Sequence, residues 1–173
     1  MRRLPALFAV LSLAAAAPVT ALAQTPAPAA APAPVKGVTV IEARAWLIGL
    51  GGTVAEPVVG EQGAQTLKVA DQPLPWSLTF YACGAALCDD AQFSASFTGP
   101  ITQDQINAWN RENRYLKAFF VPATAGGEAG AIVQYDLVLT STGPGQLQEP
   151  VVIWLQMLRT FAQGLAAAVP ATN

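Results

Sequence analysis

Alternation of apolar and polar residues dominates the middle of the chain. Phe93, Ala95 and Phe97 interleave with Gln92, Ser94, Ser96 and Thr98, and a period of two puts each set on its own face of a strand. The pattern recurs over 65–70, where Leu67 and Val69 alternate with Thr66 and Lys68. It recurs over 76–82, where Trp76, Leu78 and Phe80 alternate with Ser77, Thr79 and Tyr81. Tyr115 to Val121 is a short aromatic strand stopped by Pro122. Over 131–140, Val133, Tyr135, Leu137 and Leu139 alternate with Ile132, Gln134, Asp136 and Val138. Thr53 to Val59 is rich in β-formers, but Pro57 confines it to an edge. Short connections between such strands predict an antiparallel sheet with one buried and one wetter face.

Three helical segments interrupt the strands. Thr39 with Glu42, and Thr102 with Gln105, are capping boxes, in which each side chain serves a free backbone N–H of the first turn. The first helix carries Ile41, Ala45, Leu47 and Ile48, with Trp46 beside them, and ends at Gly49, Gly51 and Gly52. The second carries Ile106 and Trp109. The last, over 148–168, lines up Val151, Trp154, Leu155, Leu158, Phe161 and Leu165 at core spacing. The predicted order is α-β-β-β-α-β-β-α, an α+β fold with helices on one face of an antiparallel sheet.

The first 35 residues follow another logic. Met1-Arg2-Arg3 is a basic start, Leu4 to Ala17 an apolar run, and Ala21-Leu22-Ala23 a small-x-small exit before Gln24. That order predicts a signal peptide over 1–23, cleaved between Ala23 and Gln24. An uncleaved anchor is the competing reading, disfavoured by Pro5, Pro18 and the Ala-x-Ala exit. The expected location is therefore periplasmic or secreted, with no membrane contact beyond the signal. Residues 24–35 alternate Ala and Pro and predict an extended linker. The remainder divides into one domain over 36–169 and a short tail over 170–173.

Charge and residue inventory remove several functions. After Ala23 the chain holds seven Lys+Arg against eleven Asp+Glu, a balance opposed to nucleic-acid binding. There is no histidine, which removes the commonest general base and metal ligand. No catalytic residue, metal site or cofactor is expected. Asp89-Asp90 is the only adjacent carboxylate pair, and strand neighbours point to opposite faces. Cys83 and Cys88 bracket four residues between two strands; in an oxidising compartment they predict a disulfide clasping a hairpin.

The densest polar stretch is Trp109-Asn110-Arg111-Glu112-Asn113-Arg114-Tyr115, where the second helix meets the next strand. Two readings stand. In one, the corner is scaffold: Asn113 is a left-handed helix cap, Arg111 and Arg114 pair with Asp136 or Glu112, and Trp109 is core. In the other, Asn110, Arg111, Asn113, Arg114 and Tyr115 form a partner-recognition edge, since Arg and Tyr are favoured at binding hot spots.

Several features together resemble the YbjN-like family of bacterial sensory transduction regulators. They are the WNRENRYLKAFF corner, the strand Tyr135-Asp136-Leu137-x-Leu139, and the closing helix with Trp154 and Phe161. Upstream, Phe80-Tyr81-Ala82-Cys83, Leu87-Cys88 and Gln92-Phe93-Ser94-Ala95 complete the order. The resemblance covers about 38–161. It implies a fold like that of type III secretion chaperones, no enzyme activity, and work done by binding other proteins. The expected role is a protein- or peptide-binding adaptor on an open sheet face, with a homodimer as one arrangement. Other readings are a structural envelope protein without a specific partner, and a small-molecule or lipid module using Trp76, Phe80, Phe93, Phe97 and Tyr135.

Overall fold

A computed structural model describes residues 36–70, 74–84 and 87–167. The signal peptide with its Ala23–Gln24 cleavage site, the Ala/Pro linker and the tail after 167 lie outside the described residues. The elements are α1 (Val40–Gly49), β1 (Val58–Val59), β2 (Gln65–Val69), β3 (Trp76–Cys83), β4 (Cys88–Thr98), α2 (Gln103–Glu112), β5 (Lys117–Val121), β6 (Gly130–Val138) and α3 (Gln148–Ala167). The fold is mixed α+β, and its element order broadly follows the one read from the sequence.

All six strands form one antiparallel sheet in the order β1-β2-β3-β4-β6-β5. β6 inserts between β4 and β5, so the α2–β5 segment crosses over it to reach the edge. The register sets Leu67 beside Leu78, Leu78 beside Phe93, and Phe93 beside Tyr135. These residues lead one face, and Val40, Ala43 and Leu47 of α1, Ile106 of α2, and Val151, Trp154, Leu158 and Phe161 of α3 join them in the core. Trp154 is stacked on Phe93 at 5.6 Å between ring centroids, and Trp76 meets both rings. At Gly130 a Cβ would lie 2.6 Å from the Phe97 carbonyl oxygen, so only glycine permits this approach between β6 and β4.

Both capping boxes form. The Glu42 N–H donates to Thr39 Oγ1 at 3.1 Å, and the Thr102 N–H donates to Gln105 Oε1 at 2.7 Å. The stripe expected on α1 is corrected. Of its four residues, Leu47 is buried as expected, but Ile41 is 65% exposed, Ile48 and Ala45 are also exposed, and Val40 and Ala43 are buried in their place. Apolar residues spread all round this helix, with Glu42 and Arg44 among them, so sequence spacing favours no single face and packing against the sheet selects one. The expected strand over 53–59 also shrinks. Only Val58–Val59 pairs regularly, while Val54 makes a single bridge to Val69. Pro57 cannot donate to a ladder, which breaks the run between them.

Candidate functional site

The helix-to-strand corner is built by its amides. The Asn110 side chain grips Ala118 at both ends of its peptide: the Ala118 N–H donates to Asn110 Oδ1 at 2.9 Å, and Asn110 Nδ2 donates to the Ala118 carbonyl at 2.8 Å. A carboxamide presents an N–H donor and a carbonyl acceptor side by side, as a strand backbone does, so Asn110 substitutes for a neighbouring strand on the free edge of β5. Trp109 Nε1 donates to the Leu116 carbonyl at 3.1 Å, and the Trp109 ring sits edge-on to Phe161 at 5.0 Å. Asn113 Nδ2 donates to the Trp109 carbonyl at 3.1 Å. The Lys117 ammonium donates to the carbonyls of Asn110 and Asn113, at 3.0 and 2.8 Å. A cation there meets the negative end of the helix dipole as well as the free carbonyls.

Asn113 is not the left-handed residue that was expected. It is extended, with φ −116° and ψ 146°, and Tyr115 takes the positive φ, 63°. With its amide spent on the helix end, Asn113 lets the chain leave α2 extended, and the reversal falls two residues later. For a residue with a Cβ this conformation costs about 1–2 kcal/mol. Tyr115 is 53% exposed, and its ring meets Tyr135 edge-on at 5.9 Å. The Arg114 guanidinium lies 5.7 Å from the Tyr115 ring centroid. Partial burial pushes the Tyr135 phenol above its ordinary pKa, with Tyr115 and Glu149 adding to the effect.

The expected ion pairs of Arg111 and Arg114 do not form. Among the described residues the one ion pair is Arg44–Glu56, at 2.7 Å. Asp136 lies on the sheet face opposite the helices, where it accepts from Gln92 Nε2 at 2.7 Å. Gln134 donates in turn to Gln92 at 3.1 Å. The corner therefore divides: Trp109, Asn110 and Asn113 are scaffold, joined by Lys117, while Arg111, Arg114 and Tyr115 remain exposed. Asp136 belongs to neither group. The aromatic set proposed for a ligand pocket is spent on packing: Trp76, Phe80 and Phe93 are buried, Phe97 packs on Phe161, and Tyr135 stacks on Phe93.

Residues 39–167 match the YbjN family, described as "Putative bacterial sensory transduction regulator". The chain belongs to this family. A comparison with curated proteins finds no match. YbjN is a regulator family and not a known enzyme family, so membership points to a regulator-like, non-enzymatic domain. The WNREN corner lies well inside the matched span. No helix among the described residues is long and apolar enough to cross a membrane.

A second feature escaped the sequence reading. Opposite the helices, the sheet presents Phe119 and Val121 of β5 beside Ile132 of β6, all exposed. Strand alternation already put Ile132 on the wetter face. An open sheet face was expected, but Phe119 and Val121 were not marked as lying on it.

Cys83 and Cys88 are disulfide-bonded, joining the facing ends of β3 and β4. Asp90 is paired with Tyr81 in β3 and with Val138 in β6, and both Asp89 and Asp90 are exposed.

Proposed function

We propose that this chain is an exported, non-enzymatic domain that works by holding a protein partner on the helix-free face of its sheet. The observation that carries this reading is the apolar cluster of Phe119, Val121 and Ile132. Phe119 is 54% exposed and stands directly across from Ile132 in the strand register. Contiguous apolar side chains in water are costly to leave bare and mark interaction surfaces. A depression of about 600 Å³ is bordered by Lys68, Ser77, Ser94 and Ser96 of that face and also by Val54, Val69, Pro75 and Trp76. Docking therefore combines apolar contact with hydrogen-bonding groups, the usual composition of a non-obligate interface.

Export is supported by the signal-like order of residues 1–23 and by the disulfide, which persists in an oxidising compartment. A photo-crosslinking amino acid at Phe119, compared with one at exposed Ile41 on the helical side, tests the docking face in the bacterial host. The expected result is a discrete adduct from position 119 that is absent from position 41 and abolished by Ile132→Asp. Equal adducts from both positions, or persistence in the folded Ile132→Asp protein, overturn the reading. The mature N-terminus, expected at Gln24, tests export separately.

A further inference from the structure

Trp109, Asn110, Asn113 and Lys117 account for how the corner is held. Arg111, Arg114 and Tyr115 are left over, and three observations give them a common purpose. First, neither arginine forms an ion pair among the described residues, although Glu112 stands between them in sequence. Second, the chain after Ala23 is acidic, yet three of its seven cationic residues fall within Arg111–Lys117. Third, Tyr115, half exposed, occupies the corner's positive-φ position, where a side chain with a Cβ is strained. Glycine or asparagine would make the same turn more cheaply. The Tyr115 ring returns only an edge contact to Tyr135. Strain kept at an exposed position points to a use outside the fold.

We propose that Arg111, Arg114 and Tyr115 form a recognition site for an acidic, extended segment of a partner protein. Arg114, lying over the Tyr115 ring, is oriented before binding, and its planar fork suits bidentate contact with a carboxylate. Arg111, in the last turn of α2, supplies a second fork. Tyr115 supplies a rigid apolar surface that loses little side-chain entropy on binding. The local positive charge on an acidic domain steers acidic chains to this corner and repels basic ones. The site adds charge selection to the apolar sheet face, and in that respect it rests on the protein-binding reading.

The test uses fluorescein-labelled twelve-residue peptides in which Glu alternates with Ser, and their Gln-for-Glu counterparts, titrated against the mature protein at low salt. The expected result is at least fivefold tighter binding of the Glu peptide, with most of that preference lost in Arg111→Gln/Arg114→Gln. Tyr115→Gly is the discriminating variant. It should keep or raise the thermal midpoint, because glycine relieves the positive φ, while weakening Glu-peptide binding severalfold. An unchanged Glu preference in the arginine variant overturns the proposal, as does wild-type binding by Tyr115→Gly. Binding to phosphatidylglycerol vesicles without any preference between the peptides also overturns it. If crosslinking through position 119 persists while the peptide preference is absent, the corner fails and the sheet-face reading stands. The converse result retains the corner and removes the sheet face.

Discussion

At Tyr115 and Tyr135 two phenols meet edge-on where the corner joins the core, and each reports a different constraint. Tyr115 carries backbone strain, whereas Tyr135 carries a cost of ionisation. Because burial and its neighbours raise the Tyr135 pKa above 10.0, the folded state holds that proton more tightly than the unfolded chain. The associated stability is present below pH 10 and is lost as pH rises through the folded pKa. The thermal midpoint should therefore fall more steeply above pH 10 in the wild type than in Tyr135→Phe, read between pH 8.5 and 11.5. Equal slopes would show that the phenol does not titrate differently on folding. The residue types at 109–115 were legible as a junction. The left-handed position was not, because Asn113 is the better intrinsic candidate and loses the role when its amide bonds the Trp109 carbonyl.

Among the elements, α2 and β5 are joined at Ala118 by one α2 side chain that serves both its N–H and its carbonyl. Replacing Asn110 by Ala removes both bonds to Ala118 and leaves a part-buried N–H and C=O without partners. We expect a loss of about 1–3 kcal/mol in chemical denaturation, from the desolvation cost of unpaired backbone groups. Arg111→Ala, by contrast, should fall within about 0.5 kcal/mol of wild type, as exposed substitutions do. A neutral Asn110→Ala would show that water replaces the amide without penalty. Helix starts were readable because a capping box is satisfied within four residues. The buried face of α1 was not readable, since a helix whose apolar residues spread all round it has no preferred side until a sheet is placed against it.

Across the whole molecule the Cys83–Cys88 bond fixes the β3–β4 hairpin at the centre of the sheet order. Protein isolated from its host should have an intact mass two hydrogens below the reduced form, and Cys83→Ser/Cys88→Ser should cost about 2 kcal/mol for so short a loop. Two free thiols in that protein would remove the clasp. Period-two alternation, capping boxes and the spacing of α3 are local properties. They determined the fold class, most strand faces and the core residues of the last helix before any tertiary contact was known. The insertion of β6 between β4 and β5 was decided by long-range pairing, in which Phe93 meets Tyr135 and Ala118 meets Val133. So was the division of the corner into held and free side chains. Asn110 and Arg111 are adjacent polar residues at one helix end, and their sequence does not rank them. Only the arrival of Ala118 beside Asn110 spends one amide on the scaffold and leaves the neighbouring guanidinium in water.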